Sequence, residues 1–176
     1  MYGTLSFTMT KETPLLPQNH VFLKGAERLL KESGYDITYN GLYYYRRLGI
    51  LPEPERLPNS KFKSYDIDDL VETMFIVDIL RGIFHLKTEL VAVLIKEMGI
   101  EKVRYLIYCY FIWSGKALIS SGKRGREAVG YIREYTAAFK KGLNTLVKVD
   151  RGLLQKYSED DLLKIVMSPL SSKLKY

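Results

Sequence analysis

The sequence predicts a mainly α-helical protein in which a small N-terminal domain is followed by a helical region. Apolar residues recur at helical spacing in several segments between clear stop signals. A proline-rich stretch with a short Lys-Phe-Lys-Ser-Tyr alternation interrupts this pattern before residue 66. With 176 residues and 47% hydrophobic content, the chain can form one domain, or one small domain with a helical extension. The expected division is 1–20 as an extension, 21–99 as the small domain and 100–176 as the helical region.

The small domain is expected to contain four helices and a hairpin, each with a local start or stop signal. Thr38 is a plausible N-cap for the second helix, which Gly49 ends. Asp66 is placed to cap the third helix, and Gly82 to end it. Between Gly49 and Asp66, three prolines and an Asn-Ser turn predict an extended segment and a small hairpin. The predicted helices cover about residues 25–33, 38–48, 66–82 and 88–98.

The helical region is expected to begin with an apolar helix over about 101–120 and a charged turn at 122–126. A last helix is expected from Ser158 to about Pro169. Between them, apolar residues alternate at steps of four and three, with Gly142 as a flaw. This heptad seam could join two subunits or pack against the fifth helix of the same chain. The homodimer reading assigns these side chains to the interface: Ile132, Tyr135, Phe139 and Leu146.

Charge and residue types favour a polyanionic partner over catalysis. The net charge is +7, and basic segments at 23–65 and 101–156 flank an acidic segment at 66–100. The single cysteine, Cys109, excludes an intrachain disulfide and fits a reducing, cytoplasmic location without membrane insertion. Two distant histidines and one cysteine predict no metal site. The sequence contains no recognisable nucleophile–base set, so we expect neither an enzyme nor a cofactor.

The tyrosine-rich helix has two different faces. A projection at about 100° per residue places Leu42 and Tyr45 on the core side and leaves Tyr44 at the border. The residues on the opposite side are Tyr39, Asn40, Tyr43 and Arg47. The helix therefore offers phenol, amide and guanidinium groups to a partner while its other face packs.

A string of residues across 23–98 combines a Leu-x-Tyr-Tyr helix, a Gly-Ile-Leu-Pro exit, a wing and an Asp-Leu helix start. Its residues are Leu42, Tyr44, Tyr45, Gly49, Ile50, Leu51, Pro52, Arg56, Phe62, Lys63, Tyr65, Asp69 and Leu70. This string resembles the DNA-binding domain of the MerR family of bacterial transcription regulators. The segment "DILRGIFHLKTELVAVL" is similar to the Leu-Arg helix pair of the family. The resemblance covers under half of the chain.

The resemblance implies a winged helix-turn-helix that binds double-stranded DNA, with its second helix in the major groove and a C-terminal helix joining two subunits. Tyr44, Arg56 and Lys63 then become candidates for phosphate contacts. The chain departs from the family pattern at Asn40, Tyr43 and Lys61, which bears on sequence preference more than on binding. The whole predicted DNA-binding set is Tyr39, Asn40, Tyr43, Tyr44, Arg46, Arg47, Arg56, Lys61 and Lys63. The alternative is that these charges form an ordinary solvated surface.

Two further alternatives concern the helical region. The aromatic run between residues 105 and 113 could line a pocket for a small apolar effector, or it could be core or dimer interface. Its members are Tyr105, Tyr108, Tyr110, Phe111 and Trp113. The function expected first is a homodimeric DNA-binding transcription regulator. The alternative is a winged-helix scaffold that binds another protein through its helical C-terminal region.

Overall fold

The computed structural model of the chain describes residues 16–58 and 61–171. The fold is mainly helical, as the sequence predicts, and includes a small antiparallel sheet. The strands are β1 (His20–Val21), β2 (Glu55–Arg56) and β3 (Lys63–Asp66). The helices are α1 (Leu23–Glu32), α2 (Tyr39–Leu48), α3 (Ile67–Asp78), α4 (Thr88–Met98), α5 (Ile100–Ser121), α6 (Gly125–Leu146), α7 (Arg151–Lys156) and α8 (Glu159–Ser171). A π-helical turn at Ile79–Ile83, called the π-turn below, continues α3.

The predicted starts and stops of α2 and α3 are confirmed. The Thr38 hydroxyl accepts a hydrogen bond from the Gly41 amide at 3.2 Å, and Gly49 ends α2 with φ of 73°. Only glycine takes such a left-handed conformation without steric cost. The Asp66 carboxylate accepts hydrogen bonds from the Asp68 and Asp69 amides at 2.8 and 3.2 Å. Both helices therefore begin where their side-chain caps predict.

The hairpin is confirmed, and the sheet has a third strand, β1, that the sequence did not predict. β2 pairs with β3 with Arg56 opposite Lys63, and β1 pairs with the other edge of β3 with His20 opposite Asp66. The expected boundary between residues 20 and 21 therefore runs through β1. The Ile67 amide also donates to the Asn19 carbonyl at 2.9 Å, which continues this attachment into α3. The segment before α1 is part of the small domain.

One prediction about a helix end is wrong. Gly82 does not end α3 directly, because the π-turn carries the helix on to Ile83. The last helix, α8, ends at Ser171, close to the predicted end near Pro169, which lies inside it. The short helix α7 was also missed, although the Asp150 carboxylate caps it by accepting from the Gly152 amide at 2.9 Å. Ser158 does begin α8, since its hydroxyl accepts from the Asp161 amide at 3.2 Å.

An aromatic cluster joins the small domain to the helical region. Phe84 follows the π-turn, Tyr110 lies on α5 and Phe139 lies on α6. Their ring centroids are 4.8 to 5.2 Å apart, within the usual range for aromatic pairs. All three side chains are buried, and the core cluster to which they belong runs from α1 to α8. Packing therefore does not stop at the expected boundary near residue 100.

The heptad seam packs within the chain, so its assignment to a dimer interface is corrected. Tyr135, Phe139 and Leu146 are buried at 4%, 0% and 0% exposure in the single chain, and Ile132 is partly buried. α6 packs chiefly against α8 and also contacts α5. The apolar repeat is therefore covered by helices of the same chain, chiefly by α8 and less by the fifth helix that the intrachain alternative named. Homodimerisation itself remains a prediction and requires another surface.

Gly142 is the point of closest approach between α6 and α8. A Cβ atom at this position would lie 2.0 Å from the Val166 carbonyl oxygen and 2.6 Å from its carbonyl carbon. Atoms do not approach so closely without moving the backbone. The residue that interrupts the heptad pattern in the sequence is therefore the residue that lets the two helices cross.

Within the described ranges, none of the helices combines the length and apolarity needed to cross a bilayer. The longest apolar helix, α5, carries charged residues within its first two turns, including Glu101 and Arg104.

Candidate nucleic-acid interface

The outward face of α2 is exposed as its projection predicts. Tyr39 and Tyr43 are 42% and 49% exposed, although tyrosine rings usually pack. Asn40, Arg46 and Arg47 are also exposed on this helix. Their positions fall on one side of the helix because residues three, four and seven apart share a face. Two phenols, an amide and two guanidinium groups therefore face solvent together.

The opposite face of α2 anchors the helix. Leu42 is fully buried and Tyr45 is 6% exposed, which confirms the core role predicted for both. The Arg81 guanidinium, on the π-turn, donates a hydrogen bond to the Tyr45 hydroxyl at 2.6 Å. This bond satisfies the polar end of a buried ring. Apolar packing and the Arg81–Tyr45 hydrogen bond therefore fix the inner face of α2 to the core.

The hairpin adds a second cationic element. Arg56 on β2 and Lys63 on β3 are cross-strand partners, and both are exposed. Partners directly opposite one another project from the same side of a sheet. Like charges in that arrangement repel, so it favours a negatively charged group between them. Lys61, in the bend before β3, is exposed as well.

Four of these cations form no ion pair within the described parts of the chain. They are Arg46, Arg47, Lys61 and Lys63. By contrast, two cations of α1 are paired along their own helix, Arg28 with Glu32 and Lys31 with Glu27, each at 2.8 Å. These charges on α2 and near β3 are thus available to a polyanion, whereas those of Arg28 and Lys31 on α1 are already paired.

The hydroxyl of Tyr44, one of the predicted contact residues, already has a partner within the chain. It donates a hydrogen bond to the Glu89 carboxylate on α4 at 3.1 Å. This bond is the main reason that the pKa of Tyr44 is raised. The pKa of Glu89 is lowered, first by its own backbone amide and then by Tyr44. A carboxylate therefore lies beside the position assigned to a phosphate contact.

Phe62 is an exposed aromatic residue that the predicted contact set omitted. It precedes Lys63, is 57% exposed, and its ring centroid lies 5.9 Å from that of Phe22. The two rings link the hairpin to the segment before α1. Neither this contact nor Glu89 has a local signal in the sequence, since each depends on residues about 40 positions apart.

The aromatic side chains of the α5 run point in different directions, and part of the run borders a cleft. Tyr110 is buried, while Tyr108 is 62% exposed and Trp113 is 46% exposed. The Tyr105 hydroxyl donates to the Asp160 carboxylate on α8 at 3.2 Å. Only Tyr110 and Phe111 of this run border a common cleft, which α6 and the π-turn complete. The run divides because it covers more than two helical turns and points in several directions.

No protein-family model, curated protein or solved structure matches the chain.

Proposed function

We propose that the chain is a DNA-binding transcription regulator of the MerR type, in which α1 and α2 form a helix-turn-helix and β2–β3 is the wing. The observation that carries this proposal is the shared exposure of a polar α2 face and a cationic hairpin, both joined to a buried core. On this reading, α2 enters the major groove and the hairpin lies along the flanking phosphates. The Arg46, Arg47 and Lys63 side chains neutralise phosphate charge.

Roles within the face follow from side-chain chemistry. Phosphate contacts position a protein on the duplex, while base contacts specify sequence. Asn40 can pair with the N6 and N7 atoms of adenine, and the Tyr43 ring can contact a thymine methyl group. We assign contacts with the phosphate backbone of the DNA to Arg56, Lys61 and Lys63. A two-fold operator would require a homodimer, with regulation through distortion of the DNA.

The exposed side of α5 is the surface that we assign to this homodimer, in place of the buried heptad seam. Tyr108, Phe111 and Ile119 are 62%, 46% and 81% exposed, and their spacing places them along one stripe. Apolar side chains in such a stripe are typical of surfaces that associate. A cytoplasmic location is part of the same proposal, since the DNA of a bacterial cell lies there.

The same stripe supports a second candidate function, a scaffold that binds a different protein through its helical region. Asn40 and Tyr43, which stand where the MerR family often has arginine, favour this alternative. The mass of the purified chain, measured with and without duplex DNA, separates the two functions. A particle that gains one duplex per pair of chains supports the regulator, and a particle indifferent to DNA supports the scaffold.

The direct test replaces two of the open cations and follows DNA binding as a function of salt. In the double variant Arg47→Gln/Lys63→Gln, fluorescence anisotropy with a labelled duplex should show weaker binding. The slope of log affinity against log salt should fall by about 2, because each lost phosphate contact removes about 0.9 from it. The charge-matched control Lys141→Gln/Lys148→Gln, on exposed residues of the helical region, should keep the wild-type slope. An unchanged slope in the first variant would show that this face does not bind DNA.

A further inference from the structure

A cleft lies between the π-turn, α5 and α6, away from the face assigned to DNA. Its volume is about 660 Å³, which is the size of a pocket for a small organic molecule. The walls are predominantly apolar. They are formed mainly by Ile83, Phe84, Tyr110, Phe111, Ile132 and Ala137. An apolar body such as an aromatic ring or a short hydrocarbon chain would therefore be desolvated favourably there.

Two cations border this apolar cleft. Arg133 and Lys140 lie one above the other, two turns apart on α6. Within the described parts of the chain, neither forms an ion pair with a carboxylate. The Lys140 ammonium group instead donates to the His85 carbonyl oxygen at 3.3 Å, which holds it beside the cleft with donors to spare. The charge of the cleft is therefore positive and uncompensated.

The two hydroxyl groups of the cleft, those of Tyr110 and Thr136, already have hydrogen-bond partners. The Thr136 hydroxyl donates to the Ile132 carbonyl oxygen at 2.8 Å. The Tyr110 and Thr136 hydroxyl oxygens are 2.6 Å apart, so the Tyr110 proton is directed to Thr136. Neither hydroxyl has a proton left for a ligand. The head group of a bound molecule would therefore be recognised by Arg133 and Lys140, and these residues select negative charge.

The backbone beside the cleft is unusual in two ways. The π-turn inserts an extra residue into the helical path, and such turns often occur at functional sites. His85 has a positive φ of 49°, which is uncommon for a residue other than glycine. Together they direct Ile83 and Phe84 into the wall and the His85 carbonyl oxygen to Lys140. Both features are energetically unfavourable backbone conformations, and both lie beside the cleft.

We infer that this cleft binds a small organic acid, with the apolar body against Phe84, Tyr110 and Phe111 and the anionic head group on Arg133 and Lys140. The inference does not depend on DNA binding, because no residue of α2 or of the hairpin borders the cleft. It assigns a ligand class of anionic, amphipathic small molecules, in contrast to a neutral apolar effector.

Two fluorescent probes with the same fused-ring body test this assignment on the full chain. One is 1-anilinonaphthalene-8-sulfonate, which is anionic, and the other is N-phenyl-1-naphthylamine, which lacks the sulfonate. The wild-type chain should bind one anionic probe per chain, about tenfold more tightly than the neutral probe, because charge-assisted hydrogen bonds to the head group add to the apolar contact. Equal affinity for the two probes would overturn the assignment.

Three variants locate the binding. Arg133→Gln/Lys140→Gln should weaken the anionic probe by about tenfold and the neutral probe by less than about twofold. Ala137→Trp places a bulky side chain in the opening and should weaken both. The charge-matched control Arg126→Gln/Lys141→Gln, on the same helix but outside the cleft, should change neither. The inference fails if the first variant binds the anionic probe like the wild type. It also fails if Ala137→Trp leaves binding intact or if the control loses as much affinity as the first variant.

Discussion

The Tyr44 hydroxyl on α2 donates a hydrogen bond to the Glu89 carboxylate at the start of α4, with 3.1 Å between the two oxygens. This contact joins the helix assigned to the major groove to the first turn of α4. It also places a negative charge next to a predicted phosphate contact, where it opposes the approach of DNA. The Tyr44 hydroxyl can donate a hydrogen bond to a phosphate only if its bond to the Glu89 carboxylate breaks.

Replacement of that carboxylate should strengthen DNA binding. In Glu89→Gln the amide can still accept from Tyr44, but the charge is lost, so we expect duplex affinity to rise by about threefold at low salt. Fluorescence anisotropy against the wild type measures the change. Glu134→Gln removes the same charge from an exposed position on α6 and should have a smaller effect. Equal gains in the two variants would mean that net charge alone, and not the position of Glu89, controls affinity.

The crossing of α6 and α8 gives a stability prediction with an internal control. Gly142→Ala should lower the free energy of unfolding by about 2 kcal/mol or more, because the new methyl group meets the Val166 backbone and the helices must separate. Gly130 lies in the same helix with no atom within 4 Å of an added Cβ. Gly130→Ala should therefore stabilise the chain by about 0.5 to 1 kcal/mol. Urea denaturation followed by circular dichroism gives both values, and similar losses in the two variants would contradict the close crossing.

Phe139 tests the corrected location of the heptad seam. Its side chain is fully buried in the single chain, so Phe139→Ala should cost about 3 to 5 kcal/mol of folding stability. Val129→Ala, on the same helix at a position 54% exposed, should cost about 0.5 kcal/mol or less. Urea denaturation and light scattering together give stability and mass. If Phe139→Ala instead gives folded monomers of near wild-type stability, Phe139 packs between subunits and not within the single chain.

The first turn of α8 should make the folding stability of the chain depend on pH in the acid range. The Ser158 hydroxyl accepts from the Asp161 amide and donates to the Asp161 carboxylate at 2.6 Å. That bond, helped by Lys164, holds the pKa of Asp161 below its ordinary value. A lowered folded-state pKa adds stability above the ordinary value of 3.8, and this stability is lost as pH falls through the folded-state value. The wild type should therefore exceed Asp161→Asn in stability at about pH 6 and lose that advantage progressively as the pH is lowered below 3.8.

The cap itself is tested separately from the charge. Ser158→Ala should lower stability by about 1 kcal/mol at neutral pH, because the helix loses its side-chain cap. Ser120→Ala, on an exposed residue within α5, is the comparison and should have the smaller effect. Thermal denaturation over a pH series measures both. An Asp161→Asn difference that stays constant with pH would show that the carboxylate gains nothing from Ser158.

Local signals in the sequence were sufficient for most helix boundaries, and non-local contacts explain the failures. Thr38, Gly49 and Asp66 act within their own turns, so their roles could be read directly from the residue order. The partner of the heptad face could not, because an apolar stripe is equally suited to a second copy or to another helix of the same chain. In the structure the partner of this face is α8, which approaches α6 most closely at Gly142.

The candidate site shows the same division. Outward exposure of Tyr39, Tyr43 and Arg47 follows from helical geometry and was predictable. The Glu89 partner of Tyr44 and the Phe22 neighbour of Phe62 required the fold, since they join distant segments. The cleft beside the π-turn was also hidden, because its lining comes from three separate segments of the sequence, 83–85, 110–111 and 132–140.

The pairing of His20–Val21 with β3 has a practical consequence for anyone who cuts the chain into pieces. A fragment that starts at Phe22 would leave one side of β3 with bare amide and carbonyl groups. Such a border recruits strands from other molecules, and the resulting aggregates could be mistaken for genuine self-association. Fragments intended for binding or mass measurements should therefore retain the residues from Leu16 onward, so that the sheet keeps its own protective edge.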